Sequence, residues 1–451
     1  MFFQTLIIAR NTLVESLRQP IFFVLIVVSG LMQAFNTAST GFSMGYTESA
    51  EVHGDDKMLL DLGMATVFVM GMILAAFQAT AVVSREIQDK TILTVVSKPI
   101  ARPTVVVGKY LGVAGAIAMA TLVMVCFLMF GIRHEVMTTA SDVVDMPVVI
   151  FSVAAVGLAI LAAGWTNFFY GWSFPQVSVS LMTFLVPASY VLTLFVSKEW
   201  EFQSIGTDFK PQVLLACLTL GMAMLVLTAV AVAASTRLSQ VMTLVVCFGV
   251  FVAGLLSNHV LGRRAFINEF AGIVEAAEPD RNEFADFRAP GARYRITLTN
   301  FPKQALTPGT PIYYGPSPQG IGMAVPSFEP YTGDPAEDRL LTAPDTPPGI
   351  MVKSAERKSL VIQNIGPRGH RVERPPQEGD YIFTEPTRLS PVALVAWSVV
   401  PNMHSFWLLD AVTQNRVIPP GHVVRVGLYS VLQVGAFLCL AVVLFQRRDV
   451  G

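Results

Sequence analysis

The stretch Ser84-Arg-Glu-Ile-Gln-Asp-Lys-Thr-Ile-Leu-Thr-Val-Val-Ser-Lys-Pro-Ile-Ala-Arg-Pro103 stands between two long apolar runs, 62–83 and 105–132. Each run is long enough to cross ~30 Å of hydrocarbon at about 1.5 Å per helical residue. The stretch between them is short, charged and amphipathic. Arg85, Glu86, Asp89 and Lys90 open it, and Ile87, Ile92, Leu93, Val95 and Val96 give it an apolar side. Pro99 and Pro103 end any helix there, because proline lacks the N–H and disfavours α geometry in the residue before it. The sequence therefore predicts a short helix over 84–103, lying across the mouth of two membrane spans. An ordinary connecting loop is the alternative.

The composition fits a membrane setting. Of 451 residues, 53% are hydrophobic and 14% charged, where a soluble domain carries about 25% charged residues. The formal net charge of −1 gives no field for nucleic acid. Cys126, Cys217, Cys247 and Cys439 all fall inside apolar runs and read as small core hydrophobes. The first apolar run begins only at Ile21, after an amphipathic segment, and reads as a retained span rather than a cleaved signal.

Outward from the central stretch, residues 1–19 carry Phe2, Phe3, Leu6, Ile7, Leu13, Val14 and Leu17 at helical spacing, which predicts an amphipathic elbow helix lying at the interface. Span one is expected at 21–35 and span two at 62–83. The loop between them, 36–61, is acidic, with His53, and reads as a solvated loop rather than a metal site. In span three, at 105–132, Gly108, Gly112 and Gly115 lie near one face and would let another helix approach closely. Lys109 at its foot can snorkel toward headgroups. A polar loop follows at 133–146, then spans at 147–164, 177–196, 212–234 and 241–256. Trp165, Phe168, Phe169, Tyr170 and Trp172 form an aromatic cluster typical of the membrane interface.

The composition then shifts. Residues 262–390 hold 15 of the 31 Lys+Arg, 16 of the 32 Asp+Glu and 17 of the 28 prolines. That predicts a soluble, β-rich domain. A helix is expected to leave the membrane over 262–287, strands at 293–300, 359–363 and 381–384, and long loops over 304–350. Residues 391–400 are apolar but too short to span and read as an interfacial or re-entrant helix. The last span is expected at 423–445, before a basic tail. The fold class is an all-α polytopic membrane protein of about eight transmembrane helices, or six if 147–196 is a re-entrant insertion, with a β-rich soluble domain between the last two spans.

Orientation follows from basic residues in short loops. With both termini cytoplasmic, ten Lys/Arg fall inside (Arg10, Arg18, Arg85, Lys90, Lys98, Arg102, Lys109, Arg237, Arg447, Arg448) and four outside (Lys57, Arg133, Lys198, Lys210). This puts 84–103 inside and 262–390 outside. The connection 165–176 would be inside yet carries no basic residue.

The residues Arg85-Glu86, Lys90-Thr91, Leu93, Lys98-Pro99-Ile100-Ala101-Arg102 and Gly108-Lys109 resemble the signature of ABC-2-type transporter permeases. The segments 9–18 and 444–449 also resemble that family's ends, while the middle of the chain departs from it. The resemblance implies the membrane subunit of an ATP-driven exporter in the bacterial inner membrane. It also implies that 84–103 is a coupling helix docking a separate ABC ATPase, with Arg85, Glu86, Lys90, Thr91, Pro99, Arg102 and Lys109 as coupling residues. Two permease subunits, identical or paired with a second permease, would join two ATPases. The chain has no GxxxxGK(S/T), HExxH or GxSxG motif, and its six histidines lack ligand spacing. It is thus expected to be no enzyme and to hold no cofactor, with ATP acting through the partner. The competing expectation is a non-transport anchor that displays 262–390 for envelope assembly or partner binding.

Overall fold

The computed structural model describes residues 2–40, 51–84, 101–136, 143–280, 287–300, 302, 306–316, 325, 331, 333–370, 372, 374–413 and 417–446. Among the described residues, eight helices are long and apolar enough to cross a membrane: Pro20–Thr40, Lys57–Val82, Arg102–His134, Met146–Tyr170, Phe174–Leu194, Pro211–Ser235, Gln240–Ala265 and Pro420–Gln446. These are spans one to eight. Spans four and five are two full-length helices, so eight candidates stand rather than six. Gly171, at φ +68°, ends span four in the left-handed conformation that glycine adopts without a Cβ penalty. The aromatic cluster falls at this turn, with Phe168 and Tyr170 largely exposed.

The chain divides into two units, Met1–Ala253 with Met403–Gly451, and Gly254–Asn402. In the first, spans three and six form the centre: 72% and 67% of their apolar windows are buried, against 22% for span eight. The elbow helix, Phe2–Arg18, packs chiefly on span three. Gly108 and Gly112 make this possible. A Cβ on Gly112 would stand 2.5 Å from both the Ala9 carbonyl oxygen and Thr12 Cβ, and one on Gly108 would stand 2.8 Å from Ile8 Cβ. The glycine face therefore receives the elbow. Thr12, Ser16 and Leu17 turn inward, while Phe2 and Phe3 stay exposed.

Span one runs to Thr40 and the next helix starts at Glu51, well inside the expected 36–61 loop. Gln33, inside the expected span one, and Asn36, at the start of the expected loop, are buried between spans one and two. Gln33 Nε2 donates to the Gly63 carbonyl at 2.8 Å, and Asn36 Nδ2 donates to the Leu59 carbonyl at 3.0 Å. Such interhelical bonds contribute roughly 0.6 kcal/mol each and fix register. A hydropathy reading takes Asn36 for a loop edge because polarity alone does not say whether a partner waits on the facing helix.

The second unit is built on a six-stranded antiparallel sheet of order β4-β7-β2-β3-β6-β5. The strands are β2 Phe270–Pro279, β3 Arg293–Leu298, β4 Tyr313–Gly315, β5 Gly349–Glu356, β6 Ser359–Ile365 and β7 Tyr381–Phe383. Two short strands, β1 Phe266–Ile267 and β8 Arg388–Leu389, pair at its base. In β3 the alternation sends Tyr294, Ile296 and Leu298 into the core. Buried Asn364 ties loops to the sheet, donating to the carbonyls of Phe287 and His370 at 3.0 Å each. The helix expected over 262–287 is not what forms. The helical backbone ends at Ala265, and 270–279 becomes a central strand between β3 and β7. Its Ala and Glu residues favour helix locally, but two strand partners satisfy its backbone and bury Ala271 and Val274, and tertiary pairing overrides propensity. β5 likewise begins at Gly349, inside the expected loop. The short helix Pro391–Val399 forms as expected.

Candidate coupling site at the foot of spans two and three

Span two does not end as a regular α-helix. Its last residues, Thr80–Ser84, form a π-helical turn leading into the 84–103 stretch. A π turn breaks the i to i−4 ladder, and such turns gather at functional sites. The Val82 carbonyl is met by Lys109 of span three, whose ammonium donates to it at 2.8 Å. Lys109 is buried, at 6% exposure. It does not snorkel as the sequence suggests: a carbonyl within reach holds the ammonium inside the bundle.

Arg102 opens span three and reaches the end of span eight, with Nη1 donating to the Gln446 carbonyl at 2.9 Å. Arg237, in the turn between spans six and seven, donates through Nε to the Leu444 carbonyl at 3.1 Å. The last carbonyls of a helix lack intrahelical donors and carry the negative end of its dipole, so two guanidinium groups are favourable there. From the elbow, Gln78 of span two donates to the Ser16 carbonyl at 3.5 Å, and Arg18 donates to Gln176 Oε1 at the start of span five at 2.9 Å. The 165–176 connection, which has no basic residue of its own, thus lies next to one supplied by the elbow. These contacts gather the elbow, the end of span two, the start of span three, the four–five and six–seven turns and the end of span eight at one end of the bundle. Of the coupling residues named from the sequence, Arg102 and Lys109 are brought together here. Arg85, Glu86, Lys90, Thr91 and Pro99 lie outside the described residues.

At the opposite end sits a cluster that sequence reasoning missed. Arg133, expected in a polar loop, is buried at the end of span three. Its Nη1 is 2.7 Å from Asp145 Oδ2, its Nε is 3.0 Å from Asp208 Oδ2, and its Nη2 donates to the Val196 carbonyl at 3.3 Å. Asp145 is fully buried and also caps span four, accepting from Val148 N. Lys198 and Glu135 pair at 2.9 Å beside it. The Asp145-Met-Pro147 sequence signals a helix start, but nothing in it names Arg133 as partner. Among the described residues no group of three or more His, Cys, Asp or Glu could hold a metal ion.

Residues 6–169 match the family model described as ABC-2 family transporter protein. The match supports an ABC-2-type permease. It covers the elbow, spans one to three with the coupling stretch, and nearly all of span four; spans five to eight and the sheet unit lie outside it. Comparison with curated proteins and with solved structures finds no match. The match supports a permease-type transport function, and together with the apolar helices it supports a multi-pass membrane protein.

Proposed function

We propose that this permease is the membrane subunit of an ATP-driven exporter and couples to a separate ABC ATPase through residues 84–103. The observation that carries this reading is the foot of spans two and three. The coupling stretch is rooted in a π turn held by Lys109, and its far end, Arg102, grips the last turn of span eight. A push on the stretch would act on both roots at once. In this reading both termini and the coupling stretch face the cytoplasm, the sheet unit faces outward, and the chain sits in a bacterial inner membrane. Two such subunits, identical or not, would join two ATPases, which supply the ATP chemistry this chain does not perform.

The test is assembly with the ATPase. Glu86 and Arg102 carry charges at the two ends of the stretch, and truncating one side of a partly buried charged contact between proteins costs about 2–5 kcal/mol. A Glu86–Lys90 pair on an exposed helix contributes only about 0.2–0.5 kcal/mol. Glu86→Ala and Arg102→Ala are therefore expected to leave membrane insertion intact while sharply lowering ATPase copurification and export. If both variants hold the ATPase and export at the parental level, the coupling role is wrong and the non-transport anchor takes its place.

A further inference from the structure

Between spans one, three and four lies a pocket of about 310 Å³ that the coupling site does not use. This is the size range of small-molecule sites, which are largely apolar with a few placed polar groups. Phe127 and Phe130 of span three and Val148 and Val149 of span four supply apolar walls. Thr37 of span one, His134 of span three and Ser152 of span four are among the polar residues that line it.

The hydrogen-bond state of these polar groups restricts the ligand. Thr37 Oγ1 donates to the Gln33 carbonyl at 3.0 Å and Ser152 Oγ to the Val149 carbonyl at 3.2 Å, so both hydroxyl protons are spent within their own helices. His134 Nδ1 lies 3.0 Å from the Glu135 carbonyl oxygen. A carbonyl cannot donate, so Nδ1 carries a proton, and in the imidazole tautomer this contact selects Nε2 is an acceptor. What these three side chains have left is acceptor capacity. The neighbouring charges are also paired: Asp145 with Arg133 and Glu135 with Lys198. The pocket thus combines apolar walls with acceptors from these three side chains and the buried amide of Gln33, whose Nε2 already donates to Gly63, and these ion pairs leave no unbalanced charge at it.

We infer that it binds a neutral single-chain amphiphile whose head carries hydroxyl donors, in the manner of a monoacylglycerol, with its chain against Phe127 and Phe130 and its head at His134. The inference needs the membrane setting but not the coupling role. Such an amphiphile could be a lipid of the surrounding bilayer or the exported cargo.

The test is photolabelling of the purified full-length chain with a diazirine-bearing monoacylglycerol, using diazirine-bearing palmitic acid as the anionic comparison. Adducts are expected in residues 127–134 and 148–153, and more strongly with the monoacylglycerol. Ala34 lines the pocket and is exposed, so Ala34→Phe should plug it without repacking the bundle and abolish these adducts. Leu161→Phe, on an exposed face of span four away from the pocket, should leave them unchanged. His134→Ala should weaken labelling about fivefold, as for one lost hydrogen bond. Labelling that is indifferent to Ala34→Phe, or equally strong with palmitic acid, would overturn the assignment. Adding the ATPase and ATP separates the two sources, since cargo labelling should fall on turnover and resident-lipid labelling should not. Failure of the permease reading would leave the labelling of the isolated chain intact.

Discussion

Arg133 shows how one buried charge organises an end of this bundle. Its guanidinium serves Asp145, Asp208 and the Val196 carbonyl at once, joining the ends of spans three and five, the start of span four and the loop before span six. Removing one partner of a buried ion pair leaves an uncompensated charge and costs about 3–5 kcal/mol, whereas removing both can be nearly neutral. Arg133→Ala should therefore lower the thermal unfolding temperature of the detergent-solubilised protein severely. Arg133→Met combined with Asp145→Asn, which keeps the helix cap, should recover more than half of the loss. A double variant as unstable as the single one would show that the pair's electrostatics are not what holds this end. Lys109 is the counterpart at the other end: a lysine that reads as a surface residue is held inside by a carbonyl of a π turn.

At the scale of elements, the elbow helix and span three behave as one packed body because two glycines remove side chains from their contact. The structure distinguishes the three glycines that the sequence grouped together. A Cβ on Gly112 would collide with backbone at 2.5 Å, while one on Gly115 would meet only Leu13 Cδ1 at 3.6 Å, an ordinary contact. Gly112→Leu should destabilise the fold by about 1–3 kcal/mol through overpacking, and Gly115→Ala should be nearly silent in the same thermal-unfolding measurement. Equal effects at the two positions would mean that the elbow does not sit on span three. The strand β2 carries the complementary lesson. Its local composition reads as helix, and only the availability of β3 and β7 on either side makes it a central strand.

At the scale of the whole molecule, the contacts of the first unit sort by end. The elbow, the turns between spans four and five and between six and seven, and the end of span eight meet at one end, and the Arg133 cluster lies at the other. From the ten-to-four split of basic residues, the first of these ends is expected to face the cytoplasm and the sheet unit the outside. With the four native cysteines replaced, an impermeant maleimide applied to intact cells should label a cysteine placed at Gly333 and miss one placed at Asp89. Labelling at Asp89 alone would invert the whole arrangement.

The sequence by itself determined the order of the apolar runs, the change to a sheet-forming composition after span seven, and the charged stretch from which the family resemblance was read, while the choice between two spans and a re-entrant insertion at 147–196 fell to the structure. Those features are set by the chain's own hydropathy, periodicity and turn residues. Tertiary structure decided where polar groups went. Asn36, Lys109 and Arg133 read as loop or surface residues and Gln33 as part of an apolar span, and all four are buried because a carbonyl or carboxylate elsewhere in the chain satisfies them. A hydrogen bond needs two partners, and the second one lies between 12 and 30 residues away in these cases, beyond the reach of any local pattern.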